Sequence, residues 1–130
     1  MREILVPISP GELLDKITIL RIKAARMSDA AKVANVRHEL TLLERVWTDS
    51  GAAAVDLGSE EANLTRVNEA LWVIEDDIRD EERAGRFGPK FIELARAVYV
   101  TNDERAAIKK RINSLSGSSI VEEKSYRPYV

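Results

Sequence analysis

The chain has 130 residues, 45% of them hydrophobic, and carries 20 Lys plus Arg against 22 Asp plus Glu, for a formal net charge of −2. That length and apolar share suffice for one helical domain over residues 1–130 with its own core, while near-balanced, interspersed charge argues against a dedicated nucleic-acid binder. Zero cysteines exclude a disulfide framework, a thiolate zinc site and a catalytic thiol, and suit a cytoplasmic location.

The opening stretch MREILVPISPGELL has too short and too broken an apolar run for a signal peptide. No run approaches the roughly 20 apolar residues that cross a bilayer, so no membrane partner is expected. Ile4 to Ile8 is β-branched and reads as a short extended segment. Ser9, Pro10 and Glu12 then form a helix start: a hydroxyl cap, a proline with no amide to satisfy, and a capping-box acid.

The first predicted helix spans residues 10 to about 27, with Leu13, Ile17, Leu20, Ala24 and Met27 as a seam against another helix and Leu14 widening it. Glu12 and Lys16 have the spacing of an exposed (i, i+4) pair. After Ser28 and Asp29, Val33, Val36, Leu40, Leu43 and Trp47 repeat the seam along a second helix, residues 30 to about 48. His38 lies off that seam and has no fixed partner, so it reads as an exposed histidine rather than a ligand or base. Residues 49–58, DSGAAAVDLG, read as a loop.

Ser59 is positioned to cap a third helix with Glu60 and Glu61 in its first turn, and Leu64, Val67, Leu71, Ile74 and Ile78 as its core stripe. Beside that stripe, within about 80°, fall Asn68, Trp72, Glu75, Arg79 and Glu82. Gly85, Gly88 and Pro89 separate it from a fourth helix, where Phe91, Leu94, Ala95 and Val98 supply core contact. The TNDE of residues 101–104 has capping-box spacing, so a break near Val100 is expected. Gly117 ends the helical sequence, and Ile120 and Val121 are β-capable and could pair with residues 4–6 as a small two-stranded sheet. The fold class expected is mainly α, a four-helix-bundle-like single domain with short extended termini.

Within residues 102–113, Asn102, Arg105, Lys109 and Asn113 form one narrow strip, polar where a packing helix should be apolar. With the third and fourth helices side by side, Glu75 and Glu82 would meet Arg105 and Lys109. Two readings follow. One is an ion-pair network fixing register between helices. The other is an anion site of forked Arg donors, the Lys109 charge, two Asn amides and the Trp72 ring. A rival from another class is a Mg²⁺-dependent phosphoanhydride hydrolase built on Glu75, Asp76, Asp77 and Asp80, although a charge run is usually a solvated face. No Ser–His–Asp set, Gly-rich phosphate loop or metal-ligand spacing occurs, so no cofactor and no metal site is expected.

The stretches ILVPISPGELLDKITIL, VNEALWVIEDDIRDEE, FIELARAVYVTNDERAAIKKRIN and SSIVEEKSY, in this order, resemble a bacterial family of uncharacterised proteins, domain of unknown function 6165. The likeness covers residues 4–126 except for 28–58. It implies no catalytic residue. It implies a link to sugar-transfer or envelope-polysaccharide proteins, and matches Trp72, Glu75, Asp76, Arg79, Asn102, Asp103, Arg105, Lys109, Asn113, Glu122, Glu123, Lys124 and Tyr126. The leading expectation is therefore a non-catalytic module that binds a small anionic ligand or a protein partner through Asn68, Trp72, Glu75, Arg79, Asn102, Arg105, Lys109 and Asn113. The alternatives are the hydrolase and a purely structural homodimer.

Overall fold

Helix starts fall on the capping signals of the chain. In the computed structural model, which describes residues 2–130, four helices follow one another: α1 (Pro10–Arg26), α2 (Ala30–Asp49), α3 (Glu60–Arg83) and α4 (Pro89–Leu115). A single 3-10 turn, Ala52–Ala54, lies in the loop before α3. Ser9 accepts the Glu12 amide at 3.2 Å and Asp29 accepts the Lys32 amide at 3.1 Å, each supplying an acceptor to a helix-end donor. Ser59 precedes α3 without a side-chain cap bond, so there the favourable start comes from the acids of the first turn.

Two expectations are corrected. The TNDE stretch does not restart a helix: α4 runs unbroken for 27 residues, because half-buried Leu94, Val98 and Thr101 continue at spacings of four and three into Arg105 and the buried Ile108 and Ile112, one helical phase throughout. Nor do the termini pair as a sheet. No strand occurs among the described residues, and Ile4, Leu5 and Val6 stand 74%, 87% and 64% exposed. A two-stranded ribbon needs a packed face, and none is offered to it.

The core sits where α1, α3 and α4 meet, around Leu14, Leu64, Val67, Ile108 and Ile112, with Trp47, Leu57 and Leu71 packed at its edge. Each such side chain contributes about 1.5–3 kcal/mol on burial. α1 is the central element. Its Leu13, Ile17 and Leu20 are buried, and so are Gly11, Leu14, Asp15, Thr18 and Ile22 on its other faces. α2 contributes no fully buried residue; its seam of Val33, Val36, Leu40, Leu43 and Trp47 is half-buried. α3 and α4 form a helical hairpin that extends past α1, and among residues 71–101 only Glu81 is fully buried.

Gly11 makes the α1–α4 contact possible. A Cβ there would stand 2.5 Å from the Lys109 carbonyl oxygen and 2.8 Å from Asn113 Oδ1, so the two backbones meet at a distance only glycine permits. At the far end of α4, Gly117 adopts φ +65°. The Ser118 amide then donates to Asn113 O at 2.9 Å and the Gly117 amide to Ser114 O at 3.3 Å, the Schellman pattern that stops a helix and reverses the chain. Residues 118–130 consequently run back beside α4.

Candidate functional site

The polar strip of α4 faces α1. Asp15, 1% exposed, accepts from Arg105 Nε at 2.9 Å and from a second guanidinium nitrogen of Arg105, a forked pair. Asn68 Nδ2 donates to Asp15 Oδ1 at 2.9 Å and to Thr18 Oγ1 at 3.0 Å, and Thr18 in turn donates to the Asp15 carbonyl at 2.8 Å. Three helices are thereby locked by one buried carboxylate. The Arg105 guanidinium is held above its usual pKa, first by its hydrogen bonds to Asp15 and with burial opposing. Asn102 Oδ1 lies 3.5 Å from Arg105 at the rim.

One turn further along α4, Lys109 Nζ donates to Glu12 and lies 3.9 Å from Asp15 and 3.5 Å from Glu122. Glu122 also accepts from the Ser9 hydroxyl at 2.8 Å. Asn113 Oδ1 accepts the Gly11 amide at 2.7 Å, which supplies from a distant helix one of the acceptors that the first turn of α1 lacks. The termini are thus brought together by side chains rather than by a strand ladder. Further along, Lys124 donates to Asp103 at 2.8 Å and holds its carboxyl below the usual value, and the Tyr129 ring lies 5.1 Å from that of Tyr99.

Between α1, α4 and this returning segment lies a cleft of ≈ 560 Å³. Its floor and inner wall are Glu12, Asn102, Arg105, Ala106, Lys109, Lys110 and Asn113; its outer wall is Glu122, Glu123, Lys124 and Tyr126. Cations and carboxylates alternate around it, with two amides and a phenol.

Of the residues expected at a ligand site, Asn102, Arg105, Lys109 and Asn113 line the cleft, and Asn68 lies beneath it on Asp15. Trp72, Glu75 and Arg79 are not among its lining residues. Glu75 instead pairs with Arg79 along its own helix at 3.4 Å, and Glu82 is exposed. The expected meeting of Glu75 and Glu82 with Arg105 and Lys109 does not occur, because α1 crosses α4 at that level and supplies Asp15 and Glu12 first. Glu12 correspondingly pairs with Lys109, not with Lys16. Asp80 pairs with Arg83 at 2.7 Å, and among the described residues no three His, Asp or Glu side chains converge as a metal site.

Ser9, Glu12, Asp15 and Thr18 were the residues helical periodicity did not single out. A signal for them exists. Gly11, Asp15, Thr18 and Ile22 recur at spacings of four, three and four, opposite the Leu13 seam. A helix with small or apolar residues on two opposite faces packs on both, so an acid on the second face is withdrawn from water and needs a partner.

The profile of one protein family matches residues 4–130, and its description is "Family of unknown function (DUF6165)". No curated protein and no solved structure matches the chain.

Proposed function

The chain belongs to the family of unknown function DUF6165, whose description assigns no activity, and from its own geometry we propose that it is a non-catalytic module binding a small anionic ligand in the cleft over Lys109. The observation that carries this reading is the convergence of Arg105, Lys109, Lys110 and Lys124 on one cleft that also bears the amides of Asn102 and Asn113. Arg and Lys donors suit phosphate or carboxylate oxygens. Amides, carboxylates and the Tyr126 ring suit a hydroxyl-rich remainder, so a sugar phosphate or sugar acid fits both halves. The inner pair, Asp15 with Arg105, acts as scaffold, and the outer groups, Lys109 and Lys110, face the ligand.

A thermal-shift panel of inorganic phosphate, glucose 1-phosphate, glucuronate and nucleotides, each with and without Mg²⁺, tests the reading. Saturating ligand at about 100 times its Kd stabilises by about 2.7 kcal/mol, a rise of about 10 °C for a domain of this size. The rise should be independent of Mg²⁺ and should shrink in Lys110→Ala, a cleft side chain that pairs with no carboxylate among the described residues. No shift with any anion contradicts the reading, and release of phosphate from nucleotides would replace it with the hydrolase.

A further inference from the structure

Residues 118–130 have no regular structure, and residues 121–130 are all exposed, yet they follow α4 in register: Glu122 at Lys109, Lys124 at Asp103, Tyr129 at Tyr99. The segment is fixed by these few side-chain contacts rather than by a buried face. Its most enclosed contact is the carboxylate of Glu122, which takes the Ser9 hydroxyl and faces the Lys109 ammonium.

We infer that the C-terminal segment is an intramolecular occupant of the anion site, with Glu122 holding the place of a ligand oxyanion, so that ligand entry requires the segment to leave α4. The inference rests on the anion-binding reading and adds its regulation. Charge decides it. With the segment in place, the cations at the cleft are matched by Glu12, Glu122, Glu123 and, beneath them, Asp15, and the site is neutral overall. Without it, Arg105, Lys109 and Lys110 exceed Glu12 and the underlying Asp15 by one positive charge at the cleft, Asp103 gives up its Lys124 partner farther along α4, and the Ser9 hydroxyl is freed. A phosphate would therefore meet repulsion from Glu122 in the closed form and attraction in the open one.

The short connection from Gly117 to Glu122 keeps the competing carboxylate at an effective concentration in the millimolar range. A ligand that binds only the open form has its affinity reduced by the open fraction. A segment docked nine-tenths of the time or more therefore weakens binding about tenfold or more.

The test is calorimetric titration of glucose 1-phosphate and of inorganic pyrophosphate into the full chain, a chain ending at Gly117, and full-length Glu122→Gln, with far-UV circular dichroism confirming helix content. The truncated chain should bind at least tenfold tighter than the full chain, and Glu122→Gln, which keeps the segment but removes its charge, severalfold tighter. If the truncated chain does not fold, Glu122→Gln alone carries the comparison. In the full chain, pyrophosphate should also speed tryptic cleavage after Lys124. Equal affinity across the folded forms, within twofold, overturns the occupancy inference and leaves the anion site standing. Absence of binding in every form overturns both.

Discussion

Asp15 is the side chain on which the helix arrangement turns. A buried carboxylate left without its guanidinium costs about 3–5 kcal/mol, so Arg105→Ala should lower urea-unfolding stability by about that amount. The double replacement Asp15→Leu with Arg105→Met should recover most of the loss, since an apolar pair of similar bulk is often neutral there. Gly11→Ala tests the adjacent close approach. A methyl group 2.5 Å from the Lys109 carbonyl forces α1 and α4 apart, at a cost of about 1–3 kcal/mol in the same measurement. The α4 half of this cluster was legible, because Asn102, Arg105, Lys109 and Asn113 interrupt an apolar phase in a short window. The α1 half was hidden by a local default: Glu12 and Lys16 stand four apart and read as a surface pair, whereas the ammonium that Glu12 meets lies 97 residues away.

The helices themselves were legible to within a residue or two where the first two have caps, and their seams held, since periodicity and caps are local properties. Elements failed where a local signal met a global one. The capping-box spacing at residues 101–104 lost to the single inward-facing phase that α4 keeps from Leu94 to Ile112, and the β-branched termini found no face to pack on. Between elements, α3 and α4 are also joined by Glu60 with Arg111, a forked pair at 2.9 and 3.1 Å. Its first consequence is a Glu60 pKa lowered from 4.5 by the Arg111 hydrogen bonds. A carboxyl whose folded pKa is depressed binds fewer protons folded than unfolded around that pH. Its contribution to stability is therefore present above pH 4.5 and lost as pH falls through the lower folded value. Denaturant midpoints measured between pH 3 and 6 should fall below pH 4.5, and Glu60→Gln should flatten that part of the profile relative to the parent chain.

At the scale of the whole molecule, the cleft is made by two events far apart in sequence: α1 crossing α4 at Gly11, and the chain reversing at Gly117 to lie along α4. No helix among the described residues is long and apolar enough to cross a membrane. The strip on α4 pointed to a paired surface, and the partner surface proved to be α1 with the C-terminal segment rather than the margin of α3. Helical phase identifies which residues share a face, but the order in which helices stack is set by long-range packing, which one sequence window does not carry. The central claim is that this cleft receives an anion over Lys109. Amide chemical-shift mapping by ¹⁵N-correlated NMR during titration with glucose 1-phosphate tests it most directly. The account predicts saturable shifts clustered at Gly11, Lys109, Lys110, Asn113 and Glu122; saturable shifts confined to the α3 margin around Trp72, Glu75 and Arg79, or no saturable shifts at all, would contradict it.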